Sequence, residues 1–310
     1  MLQIFVNASY DFVGKRRWFY TVSAGSMILS LVWVFFVGGL NYGIDFTGGA
    51  LLQVRYDKPA TVDLVRRGLD EIKLGNAVIQ QFGDAQEYLI RLPHVAEKPD
   101  DLSKQVQTAL AKAAKRGVEI RRVEFVGPQV GRDLQLQALY AVLAGMAGIL
   151  IYVAFRFHFR DGVISVVAIA HDVIVTLGAL SLTQREMSLP VLAALLTIVG
   201  YSINDTIVVF DRIREMRGKG IRKGQTLADL VNTAMNQTLS RTLLTSFTTF
   251  MSALVLLIFG GEVLRDFAFA LVVGVVTGTY SSIAAASLVM DWETWSRVKA
   301  KTSGKVPAKA

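Results

Sequence analysis

The sequence contains no cysteine, which excludes disulfides, thiolate chemistry and cysteine-based zinc sites. Histidine is nearly as scarce, with three residues, His94, His158 and His171. They fall in a polar segment, a short loop and an apolar run, so no metal site is expected from them. Charge is thin, because only 19% of residues are Asp, Glu, Lys or Arg against about 25% in a soluble globular chain. No phosphate-binding glycine pattern and no Ser/His/Asp set is recognisable, so neither an enzyme nor a cofactor is expected. What the chain has in excess is apolar surface, 52% of its residues. Its charge is also concentrated, since residues 41–135 hold 27 of the 58 charged side chains. The pattern is that of a membrane chain with one ordinary polar domain inserted.

Six stretches reach the roughly 20 apolar residues that a bilayer core requires: 18–40, 134–155, 162–183, 189–210, 242–260 and 267–290. Lys15, Arg16 and Arg17 precede the first, as they would a signal peptide. Its apolar run is longer than the usual 7–15 or so and no A-x-A-like site follows, so it reads as a retained anchor. Seventeen Lys and Arg lie in segments 1–17, 156–161, 211–241 and 291–310, whereas Arg185 and Arg265 alone occupy the two short loops of the other face. The positive-inside rule therefore places both termini in the cytoplasm, with residues 41–133 outside. The net charge of +8 follows from this topology and from anionic membrane lipid, without nucleic acid as a partner.

Segment 41–133 carries a β-α-β-β-α-β pattern. Strand runs at 51–56, 77–82, 88–92 and 118–126 are separated by helical spacing at 61–74 and from Pro99 onward, with Gly75 and Gly117 as stops. Gly83 and Asp84 signal a hairpin, and the alternation of the last strand slips near Arg121 and Arg122. This is the ferredoxin-like order, which by itself assigns no function. In the loop at 211–241, Thr226 and Asp229 form a capping box ahead of a short amphipathic helix with its stripe at Leu227, Leu230, Val231, Ala234 and Thr238. Gly274 and Gly278, extended by Ser282, form a close-packing face in the sixth span.

Three ionisable groups interrupt the spans: His171, Asp172 and Asp205. A carboxylate at the centre of a span costs about 2.5–3.5 kcal/mol, so a retained one points to function. Ser202, Asp205, Thr206 and Val209 share one helical face, with Asn204 beside it. Arg241 immediately precedes the fifth span, and its long side chain could reach back toward the depth of Asp205. A fixed ion pair, a proton relay and coupling to another ion all remain open on these residues. His171 and Asp172 are adjacent and point about 100° apart, so they are not expected to pair; a packing role suits His171, and Asp172 is either a packing contact or a relay member.

The loop after the first span reads Gly43-Ile44-Asp45-Phe46-Thr47-Gly48-Gly49. It lacks the phosphate-loop pattern, and a glycine-rich turn from membrane into strand is sufficient reason for it. Together with Gly200-Tyr201-Ser202-Ile203-Asn204-Asp205-Thr206 in the fourth of six spans, this loop resembles the SecF members of the SecD/SecF family of bacterial protein export, relatives of the RND transporters. The resemblance implies a polytopic α-helical membrane protein of six spans, an RND-type half, with one α+β ferredoxin-like periplasmic domain. It implies the bacterial inner membrane as location, and SecD, the SecYEG translocon and the exported unfolded polypeptide as partners. It further implies that Asp205 and Arg241 serve proton use, with the proton motive force driving late, outer-side steps of translocation. A small RND-type exporter and a non-conducting scaffold are the rival readings.

Overall fold

The computed structural model describes residues 8–93, 99–220 and 224–302. His94 and the end of the basic tail lie outside the described residues. In chain order the elements are helix α1 (Arg16–Val32), a π-helical turn (Trp33–Val37), strand β1 (Asn41–Tyr42), the short helix α2 (Ile44–Thr47), β2 (Gly49–Tyr56), α3 (Val62–Asp70), β3 (Val78–Gln81), β4 (Glu87–Pro93), α4 (Pro99–Ala114) and β5 (Val118–Val126). Then follow α5 (Pro128–Arg156), α6 (Phe159–Leu182), β6 (Glu186–Met187), α7 (Leu189–Gly218), α8 (Leu227–Phe259) and α9 (Gly261–Thr302).

Six of the helices are long and apolar enough to cross a membrane, and the chain is a multi-pass membrane protein. These helices overrun the apolar stretches. α7 continues from residue 210 to Gly218 through Arg212, Arg214 and Arg217, because arginine is a good helix former wherever the chain meets water. The stretch opened by Thr226 does not end near residue 238 as a separate short helix; it runs on unbroken as α8. The capping box is as expected, with the Thr226 hydroxyl accepting from the Asp229 amide at 3.1 Å and the Asp229 carboxylate accepting from the Thr226 amide at 2.8 Å.

The chain divides into two compact units. One contains Met1–Leu40, Ala141–Arg185 and Pro190–Ala310. Here α6, α7 and α9 are the inner helices, each with close to half of its apolar window buried, whereas only 6% of the windows of α1 and α5 is buried. Leu230, Val231 and Ala234 of α8 pack with Val209 and Ile213 of α7 and Ala286 and Met290 of α9. The glycine pair of α9 packs closely: a Cβ at Gly274 would collide with the Ile198 side chain of α7, and one at Gly278 would rest 3.4 Å from the Ser202 Cβ.

The other unit, Asn41–Tyr140 with Glu186–Leu189, has a four-stranded sheet ordered β3-β4-β2-β5 with every neighbouring pair antiparallel. That order with two helices is the ferredoxin-like arrangement. Its core is Leu52, Val54 and Tyr56 of β2, Tyr88, Ile90 and Leu92 of β4, and Val65, Leu69, Leu102, Val106 and Leu110 of α3 and α4. The slip in β5 is a bulge: Gln53 faces Arg122 while Val54 faces Ile120, leaving Arg121 extra. The left-handed residues that end the two helices are Lys73 and Lys115, with φ of 58° and 50°, rather than Gly75 and Gly117.

Candidate functional site

Asp172 sits near the middle of α6 and is fully buried. Its Oδ2 accepts from the Ser202 hydroxyl of α7 at 2.6 Å and from the Ser281 hydroxyl of α9 at 2.8 Å. Its Oδ1 lies 2.9 Å from Nδ1 of His171, so the two neighbours do meet. The reason is local: their Cβ atoms diverge, but Nδ1 is the ring nitrogen nearer the backbone, and rotation about χ1 and χ2 brings it sideways to the carboxylate. The other ring nitrogen of His171 is 3.3 Å from the Ser26 hydroxyl of α1. One carboxylate and its imidazole thus join four helices.

Asp205 is 1% exposed and lies one helical turn from Ser202 on α7. Its Oδ2 accepts from the Ser246 hydroxyl of α8 at 3.1 Å, and Ser246 accepts from the Thr279 hydroxyl of α9 at 2.7 Å. Asn204, which is exposed, donates to Oδ1 at 3.4 Å. Ser202, Thr206 and Val209 are buried with Asp205, as their shared face requires; the Thr206 hydroxyl is bound back to the Ser202 carbonyl at 3.2 Å. Arg241 is exposed, and among the described residues no carboxylate is within ion-pair distance of its guanidinium. The structure therefore brings Asp172, Asp205, Ser202 and His171 into one polar interior and leaves Arg241 at its edge, five residues before Ser246.

Four partners in this interior, Ser26, Ser246, Thr279 and Ser281, are absent from the sequence reading. A hydroxyl in a span normally bonds its own helix, as Thr279 also does to the Val275 carbonyl at 2.7 Å, so composition does not mark the few that reach a neighbour. Ser246 and Thr279 also line an apolar groove of about 680 Å³ with Leu243, Phe247 and Phe250 of α8 and Val276 of α9. No group of three His, Asp or Glu side chains among the described residues is placed to hold a metal ion.

The glycine-rich loop forms a clasp. The Asp45 carboxylate accepts from the Leu189 amide at 2.9 Å, capping the first turn of α7. The Gly43 amide donates to the Met187 carbonyl at 2.8 Å, and β1 pairs in parallel with β6. Glu186 is ion-paired to the buried Arg91 of β4. Phe46 is buried, and its carbonyl accepts from the Gln135 side chain at 2.7 Å. Gly48 has φ of 70°, and a Cβ there would stand 2.8 Å from the Pro128 Cα; Gly49 follows with φ of 133°. Both conditions admit only glycine at Gly48.

Residues 105–295 match the family described as protein export membrane protein SecD/SecF, C-terminal. The chain belongs to this SecD/SecF family. Residues 33–60 match the SecD/SecF GG motif, the clasp described above. This SecD/SecF chain is 47% identical over 283 residues to the protein translocase subunit SecF of Calditerrivibrio nitroreducens, covering 91% of this chain and 93% of that one. It is 43% identical over 284 residues to the SecF of Pseudomonas aeruginosa, covering 91% and 90%. The crystal structure of SecDF from Thermus thermophilus, described as a translocon-associated membrane protein, superimposes with a TM-score of 0.83 at 43% identity and covers 93% of this chain. SecDF in its super-membrane-facing form gives 0.70 at 42% identity over 97%. The chain spans 39% and 41% of those two solved chains.

Proposed function

We propose that this chain is the SecF-type subunit of the Sec protein-export machinery, working with a SecD partner to convert inward proton movement into late, outer-side steps of preprotein translocation. The observation that carries this reading is the burial of Asp172 and Asp205 among hydroxyls, an amide and an imidazole that join α1, α6, α7, α8 and α9. Protonating either carboxyl turns one of its oxygens into a donor and weakens the charge-assisted bonds that hold a neighbouring helix, so the charge state is coupled to packing. A potential of 100 mV supplies about 2.3 kcal/mol per proton, enough to bias two arrangements of a bundle. Arg241 acts in this scheme by moving toward and away from Asp205. The family membership points to the bacterial inner membrane, and the charge count to cytoplasmic termini with the sheet-bearing unit on the outer side, where it meets the unfolded polypeptide leaving SecYEG. Spans of SecD cover the α8–α9 groove.

The test replaces Asp205 with Asn in cells depleted of the native subunit. The proton-dependent part of preprotein export should fall by about tenfold or more, the scale of losing a proton-transfer group. Arg241→Met should do the same, and the double variant should be no worse than either alone. Unchanged export in Asp205→Asn removes the motor and leaves a scaffold.

A further inference from the structure

Where the start of α6 and the end of α7 meet α9 lies a cavity of about 300 Å³ lined by His158, Asp161, Phe210, Ile213, Arg214, Arg217 and Val289. Among the described residues its charged groups are mostly arginines. Arg214 and Arg217 line it, and among the described residues Arg156 and Arg160 stand near them with the carboxylates Asp211 and Asp161. Each of those is already engaged by another arginine: Asp161 by Arg160 at 3.3 Å and Asp211 by Arg156 at 3.4 Å. Asp161 also accepts from the His158 amide at 3.4 Å, within the capping box that opens α6. The cavity thus stands at the N-terminus of a 24-residue helix, where the backbone favours an anion. The Arg214 guanidinium is held in place by the Arg156 carbonyl at 2.9 Å and lies 5.7 Å from the Phe157 ring centre.

The other half of the cavity is apolar. Phe210, Ile213 and Val289 form its wall, and Phe155 and Phe159, which adjoin Arg156 and His158 in the chain, are 89% and 68% exposed. Exposed aromatics at the end of a membrane span are in contact with lipid. A polar cationic recess with a phenylalanine margin at the bilayer edge has the two chemistries of a phospholipid, an oxyanion and an acyl chain. We propose that this cavity binds the phosphate of an anionic phospholipid headgroup, with Arg214 and Arg217 on the phosphate and the acyl chains along Phe155 and Phe159. The inference does not depend on proton coupling at Asp205.

Purified full-length protein in detergent is given phosphatidylglycerol or phosphatidylcholine, and bound lipid is counted by native mass spectrometry. Phosphatidylglycerol should be retained about fivefold or more over phosphatidylcholine, on the scale of one basic residue per lipid charge. R214Q/R217Q should abolish the difference, and R214K/R217K, which keeps the charge, should preserve most of it; both should elute as the wild type does on gel filtration. Inorganic phosphate at millimolar concentration should displace the lipid. Equal retention of the two lipids, or wild-type retention by R214Q/R217Q, overturns the proposal. Saturable phosphate binding without phosphatidylglycerol retention also overturns it, and assigns the recess to free phosphate instead.

Discussion

Tyr56 and Tyr88 show how a single polar atom is carried in the core of the sheet-bearing unit. Both rings are buried and meet edge to face at 6.0 Å. Tyr88 donates to the Ala60 carbonyl at 2.6 Å, whereas among the described residues the Tyr56 hydroxyl has no hydrogen-bond partner. Burial pushes both phenols up from their ordinary value, Tyr56 the further, with the Tyr88 ring adding to it. A raised folded-state value means that the unfolded chain loses its proton first, above about pH 10. The stability contributed is complete below that pH and is lost as pH rises toward the folded-state value. Tyr56→Phe should therefore raise the alkaline unfolding midpoint followed by circular dichroism, with neutral-pH stability within about 1 kcal/mol of the parent or above it. A lowered midpoint would mean that the hydroxyl has a partner worth keeping.

At the scale of elements, the two-residue strands β1 and β6 are too short to hold by pairing alone, and the Arg91–Glu186 ion pair secures them. Arg91 is 7% exposed and also donates to the Asn41 side chain at 3.3 Å. Glu186→Leu alone should cost about 3 kcal/mol by stranding that guanidinium, while Arg91→Leu with Glu186→Leu should cost less than the sum of the single changes. Thermal unfolding of the four proteins in one detergent checks this, and additive losses would refute it. This clasp was not legible in the sequence, because Asp45, Arg91 and Glu186 are separated by up to 141 positions and no local pattern pairs them. The β-α-β-β-α-β order and the Thr226 cap were legible, since each rests on contacts within a few residues. Within the bundle, Asp172 and Asp205 stood out because charge is costly in lipid. Ser26, Ser246 and Ser281 did not, because a span tolerates serine at little cost.

For the whole molecule, the lack of cysteine makes topology directly measurable. Lys219 and Gln105 are exposed, one at the end of α7 and the other on α4. With Lys219→Cys and Gln105→Cys made separately, an impermeant maleimide added to sealed inverted vesicles should label the first and spare the second; intact spheroplasts should give the reverse. Labelling of both from one side would overturn the charge-based orientation.

Helix α8 runs 33 residues without interruption, a rod of about 50 Å. Near its middle Ser246 rests on Asp205, and in its first turns Asn232 and Asn236 grip the backbone of Tyr10 and Phe12 at 2.8 to 3.0 Å. No loop intervenes between these points, which are about 15 to 21 Å apart along the axis. The amino-terminal segment is consequently wired to the carboxyl as a pen is to its pivot: any rocking of α8 at Ser246 is written out at residues 10–12, where a reporter group would register it.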